Sequence, residues 1–166
     1  MVIIKIYRLV EQGGYFYVKD SESSICPVCN KLLSKRSWRL RKFIDAAGNK
    51  TKLFIRRLFC KSCTRMHHEL PDLLIPYKRH CVETIEAISS GKPVKAPCEE
   101  STIRRILTWW SVVMPYFMDI LKSLAVKYQT KYQPSPAFKE MVRAAANTNN
   151  WISINSICTR SACMPR

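Results

Sequence analysis

Two C-x-x-C pairs, Cys26-Pro-Val-Cys29 and Cys60-Lys-Ser-Cys63, are the residues of this sequence best suited to chemistry. Each pair sets two thiolates on one tight knuckle whose backbone N–H groups turn toward the sulfurs, and two knuckles close a tetrahedral four-thiolate shell around one Zn²⁺ per chain. The thirty residues between the pairs exceed the ~15–20 of a compact finger, so the intervening segment must hold structure of its own. Free or disulfide-bonded cysteines fit this spacing less well than metal in a reducing compartment. A redox C-x-x-C occurs once, in a βαβ setting. His67 and His68 follow Cys63 closely enough for one to replace a thiolate, but the quartet is complete without them. Cys81 and Cys98 fall in helical surroundings and Cys158 and Cys163 in the last ten residues; they read as small buried hydrophobes or incidental thiols.

The second chemical signal is charge. Lys and Arg number 28 against 12 Asp and Glu, a net +16, while 47% of the 166 residues are hydrophobic, enough to build a core and to exclude a disordered basic tail. Such a surface repels itself unless it meets a polyanion. The charge is blocked: residues 31–65 carry twelve basic and one acidic group, and residues 101–166 nine and two, with a mildly acidic stretch between. Two binding surfaces flanking a connector account for this better than an evenly solvated basic surface, whose charges alternate.

The first block falls on a β-hairpin. Ser37 to Ile44 and Thr51 to Phe59 are rich in aromatic and branched residues, and Asp45-Ala-Ala-Gly48-Asn49-Lys50 supplies the turn. With a knuckle at each end this is a zinc-ribbon layout. Its side chains alternate faces, so one face is expected to pack apolar residues while the other presents a row of cations for phosphate: Arg36, Arg39, Arg41, Lys42, Lys52, Arg56 and Arg57. Trp38, Phe43 and Phe54, interleaved with them, read as core. Val2 to Val10 and Tyr15 to Val18, around Gly13-Gly14, are expected to extend the sheet.

Beyond a proline-punctuated connector, Leu70 to Tyr77, the spacing predicts a helix from near Tyr77 to Ser89-Ser90-Gly91, with Tyr77, Cys81, Val82, Ile85 and Ile88 on one face. After a loop from Lys92 to Pro97, a second helix carries the stripe Ile103, Ile106, Leu107, Trp110, Val113 and Met114. Near its start stand Ser101, Thr102, Arg104, Arg105 and Thr108, the hydroxyls and guanidiniums that a helix-turn-helix recognition helix needs for phosphates and base edges. The connector is longer than the usual three or four residues of that motif. Pro115 is expected to kink or break the chain before a further helix to about Tyr128. A linker from Gln129, a short helix from near Pro136 with Phe138, Met141, Val142 and Ala145 inward, and a tail in which Trp151 to Ile157 alternate complete the reading.

The run Cys26-Pro-Val-Cys29, Ile55-Arg-Arg-Leu-Phe-Cys60-Lys-Ser-Cys63, His67-His68-Glu69-Leu70-Pro71-Asp72, Ile75-Pro-Tyr-Lys-Arg-His80 and Ser101-Thr-Ile-Arg-Arg105, with Thr159-Arg-Ser161 near the end, resembles a family of uncharacterised Firmicutes proteins. That family combines a zinc ribbon with a helix-turn-helix and is similar to the DNA-binding halves of insertion-sequence transposases. The resemblance implies a mobile-element or regulatory DNA-binding role and places the ribbon ligands on Cys26, Cys29, Cys60 and Cys63. It supplies no activity.

The sequence thus predicts an α+β chain: a zinc-ribbon β-sheet over 1–70, then an all-α, helix-turn-helix-like module over 71–166. A transposase nuclease needs three carboxylates converging on metal ions, and none of the acidic residues sits on a readable strand of that kind. No Gly-rich phosphate loop and no G-x-S-x-G is present. The expected function is therefore non-enzymatic, zinc-dependent DNA binding, with duplex DNA as partner, possible self-association or a protein partner, and no membrane. The longest uncharged run, thirteen residues between Arg105 and Asp119, is short of the ~18 of a spanning helix, and a cytoplasmic, nucleoid-associated protein is expected. An RNA- or ribosome-associated ribbon, and an adaptor that docks a transposase or polymerase through that run and Trp109, are the alternatives.

Overall fold

The computed structural model describes residues 1–19, 21–92, 98–132 and 136–151. Six strands form one curled sheet: β1 (Val2–Ile4), β2 (Arg8–Gln12), β3 (Tyr15–Lys19), β4 (Ser34–Ile44), β5 (Lys50–Phe59) and β6 (Met66–Pro71). The order is β1-β6-β5-β3-β2, and β4 pairs with β5 from Ser34 opposite Phe59 to Ile44 opposite Lys50. One edge of β5 is therefore taken by β4, while β3 and β6 share the other.

The turns follow from their residues. Gly13 and Gly14, at φ +60° and +75°, close the two-residue β2–β3 hairpin in a conformation that needs positive φ at both positions. In the β4–β5 turn the Asp45 carboxylate accepts hydrogen bonds from the N–H groups of Ala47 (2.9 Å) and Asn49 (2.8 Å), and these donors, Asn49 foremost, hold it below the usual carboxylate range.

The expected helix from Tyr77 begins only at Val82: α1 is Val82–Ser89. The residues before it are used by the sheet. His80 bridges Ile44 and Cys81 bridges Leu74, Ile44 N–H donates to the Arg79 carbonyl (2.7 Å), and Tyr77 takes a φ of +64° with its ring exposed. Backbone bonding to the hairpin end thus overrides a helical pattern that the sequence carries.

The expected break at Pro115 does not occur. α2 runs unbroken over Glu100–Lys127 with Pro115 inside it. A mid-helix proline costs about 3 kcal/mol and leaves the Ser111 carbonyl without its helical donor. Against that, Ile106, Trp109, Val113, Phe117 and Ile120 are buried along one stripe spanning the proline, at about 1.5–3 kcal/mol each. Burial wins, and the Pro115 ring lies on the exposed side. Pro115→Ala is expected to raise the thermal midpoint, by roughly 2–4 °C for each kcal/mol recovered; a lowered midpoint in a melting curve would show that the proline stabilises the fold.

α3 (Phe138–Asn147) lies where the sequence placed a short helix, with Phe138, Met141, Val142 and Ala145 buried. It covers the edge of the sheet at β1, where the Asn147 amide accepts from Ile3 N–H (2.7 Å) and donates to the Ile3 carbonyl (3.0 Å), as a neighbouring strand would. One hydrophobic core runs from Ile3, Ile4, Phe43, Leu53 and Ile55 of the sheet to Ile85, Val113, Phe117 and Val142 of the helices. Expectations for residues 93–97, for 133–135 of the linker, and for the tail beyond Trp151, with Cys158, Cys163 and Thr159-Arg-Ser161, lie outside the described residues. Among the described residues no helix is long and apolar enough to cross a membrane.

Candidate metal centre and basic sheet faces

The two knuckles are built alike. Cys26 N–H donates to the Lys31 carbonyl (2.8 Å) and Cys60 N–H to the Arg65 carbonyl (2.9 Å), the same span of five residues. In each, the residue after the second cysteine takes a left-handed φ, Asn30 at 57° and Thr64 at 54°. The first knuckle precedes β4 and the second joins β5 to β6, so the long hairpin brings its own two ends together. The hairpin between the cysteine pairs is the structure that the long spacing required.

The four Sγ atoms lie within 4.8 Å of one another. Cys26 and Cys63 are 3.6 Å apart and Cys29 and Cys60 3.4 Å, far from the ~2.0 Å of a disulfide and close to the ~3.8 Å edge of a tetrahedron with ~2.3 Å metal–sulfur bonds. Cys26 and Cys60 are fully buried, and Val2, Leu33 and Leu58 pack around them. The thiols do not ionise alike. Backbone N–H donors, Cys63's first, draw Cys60 down to about 6, whereas burial pushes Cys63 up to about 12. Four sulfurs converging at these distances could hold a metal ion. Among the described residues no other group of three or more His, Cys, Asp or Glu side chains converges in this way.

His67 stands beside the quartet. Its Nε2 is 3.4 Å from Cys26 Sγ and its Nδ1 3.1 Å from the Met1 nitrogen. Burial first, then neighbouring positive charge, lowers its pKa to about 4, so the ring is neutral; in the tautomer whose Nδ1 accepts from the Met1 nitrogen, Nε2–H faces the sulfur. Sequence spacing offered His67 as a substitute ligand; the structure makes it a neighbour of one. Burial alternates along β6 from Met66 to Glu69, and His67 lies buried on the same parity as Glu69.

The expected division of the hairpin into one apolar and one cationic face does not hold. The register sets Arg39 opposite Ile55 and Arg41 opposite Leu53, on the face that becomes the core toward Phe43, while Trp38, Leu40 and Lys42 lie opposite Arg56, Phe54 and Lys52 on the outer face. A register shift between Lys35 and Ser37 leaves exposed Arg36 at an irregularity of β4. The aromatics that read as core divide in the same way: Phe43 is buried, while Trp38 and Phe54 look outward.

On the inner face Arg39, Arg41 and Arg57 gather near His68. Arg39 Nη1 lies 3.1 Å from His68 Nε2, Arg41 Nη2 donates to the Lys78 carbonyl (2.7 Å), and Arg57 is half-buried with its Nε unpaired. Burial, followed by Arg39 and Arg57, lowers the His68 pKa. On the outer face Arg56 is committed to Glu69 through its Nε (2.5 Å) and Nη2 (2.6 Å). The sequence reading placed no strand at Glu69 and did not mark it as a buried partner; β6, which carries it, emerges only in the structure.

At the start of α2, Ser101, Arg104, Arg105 and Thr108 are exposed and Thr102 is half-buried. Arg104 pairs with Glu100 four residues back (2.5 Å), with both side chains at least three-quarters exposed, a contact worth little in water. Residues 90–99 separate α1 from α2. Trp109, offered by the sequence as an exposed apolar contact for a protein partner, is buried, with the Lys78 ammonium 4.1 Å from its ring centroid. Leu107 and Met114, expected inward, are exposed instead.

Residues 26–106 match a family described as a domain of unknown function, DUF6431. No curated protein and no solved structure matches the chain.

Proposed function

We propose that the chain is a zinc-stabilised, non-enzymatic DNA-binding protein of the mobile-element or regulatory kind. The observation that carries this reading is the cation cluster of Arg39, Arg41 and Arg57 around a His68 held neutral, inside a segment with twelve basic groups and one acidic. A guanidinium group presents a rigid fork of donors that matches two phosphate oxygens; Arg41 and Arg57 are half-buried and keep that attraction better than a fully solvated group, while Arg39 is exposed beside them. The four-cysteine centre pins both ends of the hairpin that bears them, and its all-thiolate donor set suits Zn²⁺. The hydroxyls and arginines that open α2 supply a second contact element, as a helix entering a major groove needs.

Affinity for duplex DNA is expected to fall steeply with salt, with a log–log slope of about −0.9 for each phosphate neutralised. Arg39→Glu and Arg57→Glu should weaken binding to all sequences alike and flatten that slope. Titrations of labelled duplex across a salt series check this, and a wild-type slope near zero would remove the polyanion reading. Structured RNA of equal length, at matched salt, is the comparison that separates DNA from RNA as the partner.

A further inference from the structure

The outer face of the sheet carries a cluster of rings that neither hydrophobic core includes. Tyr17 stacks on Phe54, with centroids 4.9 Å apart and planes 17° from parallel; Tyr15 lies 5.5 Å from Phe54 on one side, and Trp38 meets Tyr17 edge-on at 5.9 Å on the other. All four rings are half-buried, and Leu40 beside them is 38% exposed. Lysines frame the cluster. The ammonium groups of Lys35 and Lys19 stand 4.4 and 5.8 Å from the Trp38 ring, and that of Lys52 5.1 Å from Tyr15. The carboxylate in register on this face, Glu69, is fully buried and neutralised by Arg56.

A row of rings bordered by ammonium groups matches an unpaired strand, which offers a flat base and a phosphate at each step. Duplex DNA cannot use the rings, because its base faces are covered by one another and only edges reach the grooves. An apolar protein surface would strip water from several ammonium groups without returning opposite charge. We propose that this face, formed by Tyr15, Tyr17, Trp38 and Phe54, is a stacking platform for single-stranded DNA. The proposal rests on the DNA-binding reading and deepens it: the inner arginines hold backbone phosphates, and the opposite side of the same sheet holds unpaired bases.

The test uses the full chain with metal bound, an oligothymidylate of about 12 nucleotides, within the length such platforms cover, a duplex of equal length, and an oligouridylate. Tyr17→Leu and Trp38→Leu keep the apolar bulk and remove the π-surface. Each is expected to weaken oligothymidylate binding roughly tenfold while leaving duplex affinity within about twofold, and Tyr17→Phe should restore it. Trp38→Phe provides a measurement that does not depend on losing affinity: it should bind oligothymidylate as wild type does, yet lose most of the quenching of tryptophan emission. Equal losses on both DNAs, or quenching that persists in Trp38→Phe, would overturn the platform. So would wild type that binds duplex but not oligothymidylate, an outcome that leaves the DNA-binding reading standing. Binding of neither DNA would remove both, and tighter binding of the oligouridylate would reassign the face to RNA.

Discussion

Removal of the metal by a chelator, or Cys60→Ser, is expected to destabilise the whole fold, starting at the ribbon. Structural Zn²⁺ sites contribute about 10–16 kcal/mol of apparent binding energy near neutral pH, whereas a whole domain is stable by only about 5–15 kcal/mol. Among the described residues little else holds the knuckles together, since the apolar cluster around the four cysteines adds only Val2, Leu33 and Leu58. Unfolding should spread from there. β1 gives Val2 to this cluster and Ile3 and Ile4 to the main core, and β5 gives Leu58 to one and Leu53 and Ile55 to the other. Loss of the site should therefore lower a single cooperative transition rather than melt a separate unit. Acid should act in the same direction. Cys60, held near 6 against an ordinary thiol value near 9, contributes stability above its unfolded value and loses it as pH falls through its folded one, while protons compete with metal for all four sulfurs. Metal content by elemental analysis and thermal melts with and without chelator measure this; a Cys60→Ser protein that keeps its metal and its melting curve would show that the quartet does not bear the fold.

The cysteine quartet, the β4–β5 hairpin and α3 were legible in the sequence because each rests on local chemistry: knuckle spacing, turn residues, and a short amphipathic period. What was not legible depends on tertiary choice. Trp109 and Trp110 are adjacent, 100° apart on the helix, and both continue a regular stripe; only tertiary packing, with α1 and α3 beside α2, selects the one with Ile106 and Val113, and Trp110 takes the half-buried flank against Phe138. Tyr77 to Cys81 fit a helical face as well as they fit the extended stretch they form, and the difference is made by Ile44, whose N–H and carbonyl bond to Arg79 and Cys81. The faces of the hairpin were hidden for a related reason. Arginines and aromatics alternate on both of its sides, and a slip of one residue exchanges the two faces. The absolute choice is set by which side the helices cover.

That choice also decides what Arg56 does, and substitutions there carry the second large expected effect. As one cation in a solvated row, Arg56 would be dispensable for folding and its loss would weaken DNA binding alone. The structure instead gives it the Glu69 carboxylate, which is fully buried and accepts from Ser24 Oγ (2.6 Å) as well as from both Arg56 nitrogens. Arg56→Ala strands that charge away from water, and breaking a buried pair by removing one partner costs about 3–5 kcal/mol. Glu69→Gln should cost less, because the amide oxygen still accepts from Ser24 and the Arg56 side chain, 21% exposed, keeps a path to solvent. Replacing both at once, Arg56→Met with Glu69→Leu, removes the stranded charge altogether and should recover most of the loss, since buried pairs are often matched by apolar residues of similar volume. Urea unfolding of wild type, Arg56→Met, Glu69→Leu and the double replacement gives the cycle, with Arg56→Ala and Glu69→Gln measured beside it. If Arg56→Ala unfolds within about 0.5 kcal/mol of wild type, the range of an ordinary surface substitution, the pair holds nothing and Arg56 returns to the row of cations available to phosphate. If the loss appears and the double replacement restores it, weakened DNA binding by Arg56→Ala reports a damaged sheet, and the binding energy belongs to Arg39, Arg41 and Arg57.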